Sequence, residues 1–413
     1  MVTPAGSAVS SPAAGTRSGR AGSAPRTTRP SHRSNRPPPH EVSPRTGHGA
    51  GALVPRRVRH MGKHTRRIVA VIPAHNEQDN VGHTVASLKD QTIPPGQVLV
   101  VSDNSTDDTV AVARAAGAVA METAGNTARK AGALNQALAS LDLTDSDLVL
   151  IMDADTIMTP GWIERALEEL QDSRVGAVGA VFQADSDRGW LRGCQAREWH
   201  RYGVQIARTG KTFVLSGTAA LIRWEPLQDV RRATGNYYDP SALTEDFVET
   251  VNLLNAGWLL RSPVECETTT ETMGTVPELI TQRTRWSRGA LQCVTRQGLT
   301  RVTRVYWWQQ LMLLVAILVG VAAYALTVAG WALYGPRATW YAVLILAIFW
   351  LERVVTVWDM GWRHRLVAAL MVPELAYAWI LQIAHLKAIW QHFTNAAETW
   401  HLNDMEAPNA VSV

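Results

Sequence analysis

Two carboxylates, one residue apart, directly follow a run of five apolar residues, and they are the first side chains whose types and spacing suggest chemistry. The run is 148–152, and the acids are Asp153 and Asp155. Five consecutive apolar residues are typical of a strand buried on both faces of a parallel sheet, and open α/β sheets bind ligands beyond the carboxyl ends of their strands. With the two-residue period of a strand, both acids would share one face and could bind one Mg²⁺ or Mn²⁺ together with a diphosphate. Asp-x-Asp is also common in strand-to-loop turns, where Asp bonds its own backbone.

Other charged residues with candidate roles stand where a loop or helix begins. Asp103 lies in the polar stretch 102–108, after another apolar run, while Glu245 and Asp246 open a predicted helix. Acids in the first turn stabilise a helix through its dipole, so capping alone would explain Glu245 and Asp246. Lys130 also opens a predicted helix, where a solvent-exposed lysine is common. Each of these residues is therefore compatible with a purely structural role.

The elements that would position these residues alternate between strands and helices. Short β-branched runs predict strands over 68–72, 98–101, 119–122 and 148–152, with helices over 80–91, 110–116 and 130–141. This alternation implies a parallel sheet with right-handed crossovers, and hence an α/β fold. Further along, the pattern predicts helices over 162–171 and 189–209 and strands over 175–182 and 213–223.

Charge and composition divide the chain of 413 residues into unlike parts. Residues 1–67 contain 13 Lys and Arg against one acid, so their charge of +12 leaves −8 for the rest of a chain whose net charge is +4. This arm is rich in Pro, Ser, Gly and Ala, lacks the apolar surface needed for a core, and is expected to be disordered. It would be a tether to anionic lipid headgroups or a dispensable leader, with Met61 as an alternative start. Because the excess basic charge is confined to the arm, no nucleic-acid partner is expected.

The C-terminal third contains three apolar runs of about the length that a bilayer requires. They are 305–335, which is uncharged; 339–358, which is interrupted by Glu352 and Arg353; and 366–386, which contains Pro373 and Glu374. About 20 apolar residues span a bilayer, and the basic residues before the first run predict that its N-terminal end is cytoplasmic. The third run is also compatible with a re-entrant or interfacial segment. Two or three spans are expected, with the preceding domain in the cytoplasm, where the well-separated Cys194, Cys266 and Cys293 would stay reduced.

Four motifs, in their order and rough spacing, resemble those of the family 2 glycosyltransferases. They are 73–77 (Pro-Ala-His-Asn-Glu), 102–107 (Ser-Asp-Asn-Ser-Thr-Asp), 130–135 (Lys-Ala-Gly-Ala-Leu-Asn) and 153–155 (Asp-Ala-Asp). Members of this family are inverting enzymes with a GT-A fold that use nucleotide sugars. The resemblance implies that Pro73, Glu77 and Asp103 line the nucleobase and ribose pocket, that Lys130 approaches the diphosphate, and that Asp155 holds the metal with Asp153 beside it on the nucleotide side. Many relatives have two successive acids at the end of the second strand, whereas here Ser102 precedes Asp103, which leaves the exact uracil contacts open.

Two later motifs extend the resemblance. Thr244-Glu245-Asp246 matches the catalytic acid motif of the family, which implies that Asp246 is the general base and that Glu245 lies on the acceptor side. Residues 282–286 match the Gln-x-x-Arg-Trp motif of the membrane-embedded branch, which includes cellulose, chitin, hyaluronan and poly-N-acetylglucosamine synthases. By this resemblance Arg285 binds diphosphate, while Trp286 and Gln282 bind the acceptor sugar, with Ser216 and Gly217 in a small-residue turn beside it. Arg offers a fixed fork to phosphate oxygens, and an indole face suits a pyranose. A basic helix with a Trp anchor on a membrane surface is the alternative.

The resemblance implies an inverting transferase that extends a β-linked polysaccharide from UDP-N-acetylglucosamine or UDP-glucose, with Mg²⁺ or Mn²⁺ as cofactor. The expected protein is a multi-pass plasma-membrane synthase, which needs a homo-oligomer or an accessory membrane subunit because three crossings make a narrow pore. Transfer of one sugar to a membrane lipid, giving a glycolipid, is the alternative, and a non-catalytic membrane protein of the same fold is a third reading. The expected organisation is a basic arm (1–66), a GT-A domain (67–275), interfacial helices with the Gln-x-x-Arg-Trp motif (276–304), a transmembrane region (305–390) and a tail (391–413).

Overall fold

The structure, a computed structural model, describes residues 66–335 and 340–396. The chain divides into two units, residues 1–60 and 61–413, and every described residue lies in the second. The predicted basic arm, apart from its last residue, lies outside the described residues, as does the predicted tail beyond residue 396.

The first half of the described chain alternates strands and helices, as its sequence predicts. The elements are β1 (Ile68–Ala74), α1 (Val81–Lys89), β2 (Gln97–Ser102), α2 (Thr109–Ala115), β3 (Val119–Glu122), α3 (Arg129–Ser140) and β4 (Leu148–Met152). Strand β1 pairs with β2 on one side and β4 on the other, and β2 pairs with β3, all in parallel. The carboxyl ends of these four strands therefore meet at one edge of the sheet.

The second half adds one strand of the opposite direction to the main sheet and forms a second, smaller sheet. The elements are β5 (Ile157–Met158), α4 (Trp162–Glu169), β6 (Val175–Gly179), β7 (Val181–Ala184), α5 (Trp190–Thr209), β8 (Ala219–Arg223), α6 (Trp224–Thr234), α7 (Glu245–Asn255), β9 (Leu259–Arg261) and β10 (Glu267–Thr270). Strand β8 is antiparallel to β4 and β6, and the seven-stranded order is β3-β2-β1-β4-β8-β6-β9. A smaller sheet has the order β5-β10-β7. The fold is an α/β fold with a mostly parallel central sheet, as predicted.

Three details of the second half differ from the sequence prediction. The strand predicted over 175–182 is two strands, β6 and β7, which belong to different sheets and are separated at Ala180. The strand predicted over 213–223 begins only at Ala219, and helix α6 has no counterpart in the prediction. A continuous apolar run does not show where a chain changes sheets, because the hydrogen-bonding partners of each segment are distant in sequence.

The main sheet is buried on both faces because its central strands divide their side chains between two apolar clusters. In β1, Ala70 and Ile72 pack with α1 and α4, whereas Val69 and Val71 pack with α3 and α6. All seven residues of β1 are buried. Burial on both sides fixes the register, since a slip by one residue would exchange the two faces. The positions of the loops that follow these strands are fixed with it.

After the sheets, the described residues form five α-helices and one short 3-10 helix, Trp358–Met360. The α-helices are α8 (Val276–Gln297), α9 (Thr303–Tyr334), α10 (Trp340–Val355), α11 (Trp362–Leu370) and α12 (Val372–Phe393). Helix α8 begins with a capping box, in which Thr275 and Glu278 each accept a hydrogen bond from the other's backbone N–H. Its start is therefore encoded locally.

Within the described ranges, only α9 is by itself long and apolar enough to cross a membrane. It has 32 residues with a mean hydropathy of 2.6 over its most apolar stretch, of which 6% is buried. Helix α10 has 16 residues and falls short of that length. Helices α11 and α12 are bent by 73° and would add at most a second span if the pair is one broken segment. Of the two or three predicted spans, the first alone forms a single helix that is both long and apolar enough within the described residues.

Helix α12 lies against α5 and α8, which departs from the prediction of a plain third span. Its Glu374 is buried and accepts from Arg197 at 2.5 Å and from Arg201 at 2.8 Å, both on α5. Farther along α12, Thr284 of α8 donates to the carbonyl of Ala384 at 3.3 Å. The acid that interrupts the apolar run is thus paired with two arginines of α5, which hydropathy alone does not reveal.

Candidate active site

Side chains from three elements converge on Gly217, in the turn before β8. A Cβ atom added to Gly217 would lie 3.0 Å from Lys130 Nζ, 3.2 Å from Asp153 Oδ2 and 3.7 Å from Asp246 Oδ2. The backbone N–H of Gly217 donates to Asp246 Oδ2 at 3.3 Å. The start of α3, the end of β4 and the start of α7 therefore meet at one glycine that leaves little room for a side chain.

Lys130 is a partly buried counterion in this cluster. Its Nζ contacts Asp153 Oδ1 at 2.5 Å and Glu245 Oε1 at 2.6 Å. Burial alone would lower the pKa of Lys130, but the charges of Asp153, Glu245 and Asp246 raise it above its usual range. Lys130 is thus a permanent cation held by carboxylates, and not a solvent-exposed lysine at a helix start.

Asp153 and Asp155 do not share a strand face, contrary to the sequence prediction. Strand β4 ends at Met152, so the two acids lie in the following turn and diverge. Asp153 turns to Lys130, whereas Asp155 accepts hydrogen bonds from Thr156 at 3.2 Å and from Thr270 at 3.4 Å. The two-residue period applies only while the chain stays extended. The two acids therefore face different partners.

Glu245 and Asp246 share the first turn of α7 but differ in their ionisation. Burial, followed by the charge of Glu245, raises the pKa of Asp246 to about 6. Burial would also raise the pKa of Glu245, but the charges of Lys130 and Arg285 lower it. Asp246 is half-buried, whereas Glu245 is buried. Neighbouring carboxylates with separated pKa values suit a division into a proton acceptor and a fixed anion.

The predicted nucleotide-side residues lie at the ends of β1 and β2. Pro73 is buried in β1, paired with Val101. Asp103 follows β2 and is buried, with its Oδ1 accepting from Thr123 at 2.9 Å and from Asn126 at 2.8 Å. Adjacent parallel strands thus bring Pro73 and Asp103 to one edge, where a planar base could lie between their loops.

Glu77 follows β1 and lies within electrostatic reach of Asp155. Burial, with smaller contributions from the charges of Asp155, Asp153 and Glu271, raises the pKa of Glu77 to about 7, although Asn80 donates to its Oε2 at 3.0 Å. The pKa of Asp155 is also raised, first by burial and then by Glu271 among its neighbours. Mutual repulsion among nearby acids indicates a local field that favours a cation.

A metal at this edge would be held by oxygen atoms. The described residues contain no group of three or more His, Cys, Asp or Glu side chains arranged to hold a metal ion by themselves. Asp155, with Glu77 and Glu271 nearby, offers hard carboxylate oxygens of the kind that Mg²⁺ and Mn²⁺ prefer. These residues fit an ion whose remaining ligands come from a diphosphate. Glu271 has no place in the sequence prediction, because its proximity to Asp155 comes from the pairing of β10 with β5.

Helix α8 packs tightly on the start of α7. A Cβ atom added to Gly289 would lie 2.3 Å from Thr244 Oγ1, 2.6 Å from its Cγ2 and 2.9 Å from its Cβ. Thr244 immediately precedes Glu245 and Asp246 and is the N-terminal cap residue of α7. The absence of a side chain at Gly289 therefore sets the position of the acidic pair.

The residues of the Gln-x-x-Arg-Trp motif point to different surroundings. Arg285 is within electrostatic reach of Glu245, as its effect on the pKa of Glu245 indicates. Trp286 has one ring face covered by the guanidinium of Arg283, 4.4 Å from the ring centroid, and Arg283 also pairs with Glu198 at 2.9 Å. The Oε1 atom of Gln282 is buried and, among the described residues, has no hydrogen-bond donor.

The turn before β8 and helix α5 complete the surroundings of Asp246. Ser216 Oγ lies 2.8 Å from Thr218 Oγ1, in the predicted acceptor-side turn. Tyr202 of α5 is a further neighbour, because burial and then the charge of Asp246 raise the pKa of Tyr202 to about 12. Tyr202 is absent from the sequence prediction, since an aromatic residue in a long helix gives no signal of its distant partner.

Residues 69–231 match the family described as Glycosyl transferase family 2. The matched segment contains strands β1–β4, whose carboxyl ends form the sheet edge described above, and it covers less than half of the chain.

Comparisons with individual proteins also find glycosyltransferases. The chain is 26% identical over 242 residues to an N-acetylglucosaminyltransferase of Mesorhizobium japonicum, covering 54% of this chain and 55% of that protein. It is 25% identical over 306 residues to an N-acetylglucosaminyltransferase of Rhizobium leguminosarum bv. viciae, covering 68% of this chain and 70% of that protein. The chain thus spans about half the length of the first relative. The structure of the mannosyltransferase PcManGT of Pyrobaculum calidifontis, in complex with GDP-Man and Mn²⁺, shares the fold with a TM-score of 0.56 at 18% identity, covering 81% of this chain and 89% of that one.

Proposed function

We propose that the protein is an inverting glycosyltransferase in which Asp246 is the general base and the leaving nucleoside diphosphate binds between the ends of β1, β2 and β4. The observation that carries this proposal is the convergence of Lys130, Asp153 and Asp246 on Gly217. A proton acceptor and a cation thereby lie within a few ångströms of one another, at the sheet edge where α/β folds bind nucleotides.

Asp246 has the chemistry that the transfer needs. Its carboxylate is half-buried, and its pKa of about 6 leaves it mostly ionised at neutral pH while keeping it a stronger base than an exposed Asp. It would take the proton of an acceptor hydroxyl as that oxygen attacks the anomeric carbon. Attack from the face opposite the leaving group inverts the anomeric configuration, so an α-linked donor gives a β-linkage.

Charge on the leaving group would be balanced by residues around it. Arg285, which acts on Glu245 from α8, is expected to move its guanidinium onto the diphosphate, where two parallel N–H···O bonds can form. Lys130 holds Asp153 and Glu245 in place and so keeps two carboxylates from repelling the donor. A Mg²⁺ or Mn²⁺ ion held at Asp155 would neutralise developing phosphate charge.

The donor we propose is UDP-N-acetylglucosamine, with UDP-glucose as the next candidate. Support comes from the names of the two relatives that align over more than half of this chain, both N-acetylglucosaminyltransferases. The acceptor would bind beside α8, where the buried Gln282 Oε1 needs a donor such as a sugar hydroxyl and Trp286 offers its remaining ring face.

For the product we propose a growing β-linked polysaccharide, made at the plasma membrane with α9 inserted and the catalytic domain on the cytoplasmic side. The exposed apolar surface of α9 supports membrane insertion. Transfer of a single sugar to a membrane lipid is the second candidate. It is favoured by the number of candidate spans, one or at most two in the described residues, which is too few for a pore within one chain. A polymer would then need a homo-oligomer or an accessory membrane subunit.

The test is transfer by the full chain in nanodiscs with a panel of UDP- and GDP-sugars, with Mg²⁺ or Mn²⁺, followed by sizing of the products. Release of UDP from UDP-N-acetylglucosamine with a long polymer is the expected result. A single glycolipid product would replace the polymer by the second candidate. No nucleotide release with any donor would leave a non-catalytic membrane protein and refute the proposal.

A further inference from the structure

Glu249 is a buried acid one turn beyond Asp246 on α7. It is 2% exposed, and neither carboxyl oxygen has a hydrogen-bond partner among the described residues. An unpaired buried carboxylate is costly, so such a group takes up a proton or finds a partner that ordinary protein contacts do not supply. Burial raises the pKa of Glu249 well above its usual value. Burial therefore favours the protonated carboxyl, which has an O–H to donate.

A small cavity lies beside Glu249. Its volume is about 20 Å³, and its polar lining comes from Glu249, Asp246, Glu245, Lys130, Tyr238 and Ser216. A cavity of roughly 10–15 Å³ holds one water, provided that two to four polar groups surround it. This cavity meets both conditions.

Two other hydrogen-bond donors beside Asp246, Lys130 and Gly217, already have partners. The Nζ of Lys130 is already shared between Asp153 and Glu245, at 2.5 and 2.6 Å. Gly217 donates to Asp246 with only one backbone N–H, at 3.3 Å. The phenol of Tyr238 has a pKa raised by burial and then by the charges of Glu249, Glu245 and Asp246, which indicates that these groups lie close together.

We propose that Glu249 is a positioning residue for the general base: its carboxylic O–H donates to one water in this cavity, and that water donates to the carboxylate of Asp246. The proposal rests on the proposed function, in which Asp246 is the base. A hydrogen bond to the ionised form favours ionisation, so the chain opposes the burial and the Glu245 charge that make Asp246 harder to ionise. It also fixes the carboxylate orientation presented to the acceptor.

The ionisation of Asp246 depends on every charged or titratable group that faces it. These are Glu245 and Glu249 on α7, Lys130 on α3, Asp153 after β4, Tyr202 on α5, Tyr238 after α6 and, through Glu245, Arg285 on α8. Of these, only Glu249 is a neutral carboxyl with no protein partner in the described part of the chain. Its replacement should therefore act on Asp246 without breaking an existing bond.

The test compares Glu249→Gln and Glu249→Leu in the full chain in nanodiscs. Gln keeps the size and an N–H donor, so its pH profile of transfer should follow wild type. Leu has a similar volume and no donor, so the acidic limb should move upward by about one pH unit, with turnover near pH 6 falling several-fold. Leu253→Met, a volume-conserving change at another buried position of α7, is the matched control and should leave the limb in place.

Infrared spectroscopy tests whether Glu249 is protonated, and it does not require a transfer assay. Wild type at neutral pH should show the carbonyl stretch of a protonated carboxyl that is missing from Glu249→Gln. Absence of this difference overturns the proposal, as does an acidic limb that is unmoved in Glu249→Leu or that moves equally in both variants. If Glu249→Leu fails to fold, the infrared difference and the pH profile of Glu249→Gln still test the proposal. Asp246→Asn with full turnover would instead refute the proposed base, which separates the two failures.

Discussion

Replacing Gly289 by alanine is expected to lower the proposed transfer activity, although Gly289 does not contact a substrate. The added methyl group would displace helix α7, which carries Glu245 and Asp246. The added Cβ would lie 2.9 Å from Thr244 Cβ, whereas ordinary contacts begin at 3.4 Å. Rotation of the Thr244 side chain relieves its Oγ1 or Cγ2 but leaves the two Cβ atoms where they are. The start of α7, or α8 itself, must therefore shift by about half an ångström.

The size of the effect follows from that shift. A misplacement of about 1 Å in a catalytic group can cost about 10² in rate, so half of it should lower turnover by about tenfold. Overpacking costs about 1–3 kcal/mol, partly offset by about 0.5–1 kcal/mol gained from alanine in a helix. We expect a net loss of about 0–2.5 kcal/mol in the free energy of unfolding, which is small compared with the total of about 5–15 kcal/mol that is typical of folded proteins, so the variant should stay folded.

The assay is donor turnover together with thermal unfolding, for Gly289→Ala and for the control Gly320→Ala. Gly320 is also a helical glycine, but a Cβ added there meets nothing within 4 Å, so this variant should be silent. Adding Thr244→Gly to Gly289→Ala makes room for the new methyl group, and glycine is tolerated as an N-terminal cap residue. Most of the turnover should return. Normal turnover in Gly289→Ala, or no recovery in the double variant, would refute the reasoning.

Three further predictions concern the chemistry. Because Asp246 must be ionised to accept a proton and its pKa is raised to about 6, transfer should fall as the pH drops through about 6 and level off above it; a profile that stays flat from about pH 5 to 8 would contradict this. Asp155→Ala should weaken metal-dependent nucleotide binding, and excess chelator should abolish transfer by wild type, so full activity in chelator would exclude the metal role. Trp286→Leu should lower transfer efficiency roughly 2- to 13-fold, an aromatic contribution of about 0.5–1.5 kcal/mol, with Trp286→Phe losing less; equal activity in all three proteins would leave Trp286 a membrane anchor.

The sequence predicts well which residues lie at this edge of the sheet, because their positions follow from the order of the strands. Apolar runs mark β1, β2 and β4, and parallel strands place the residues that follow them side by side. The proximity of Asp103 and Pro73 follows from that rule. The roles of these residues in binding and catalysis remain predictions, since proximity does not establish a bound ligand.

Other parts of the site depend on contacts that periodicity does not encode. Glu271 faces Asp155 through the pairing of β10 with β5, two short segments that are far apart in sequence. Glu249 reads as one more polar residue of a helix, and its burial is visible only once α7 packs against the sheet. The third apolar run looks like a membrane span until Glu374 is seen to be paired with arginines of α5. In each case the residue in contact lies more than a hundred residues away in the sequence or in another layer of the fold.

The central claim is that Asp246 accepts the acceptor's proton in a nucleotide-sugar transfer, and turnover of Asp246→Asn tests it most directly. Asparagine keeps the size and the helix-capping ability but cannot take up the proton, so turnover should fall by about 10² or more. Donor affinity and thermal unfolding, measured on the same nanodisc samples, should match wild type. Turnover within a fewfold of wild type, with donor binding intact, would contradict the account.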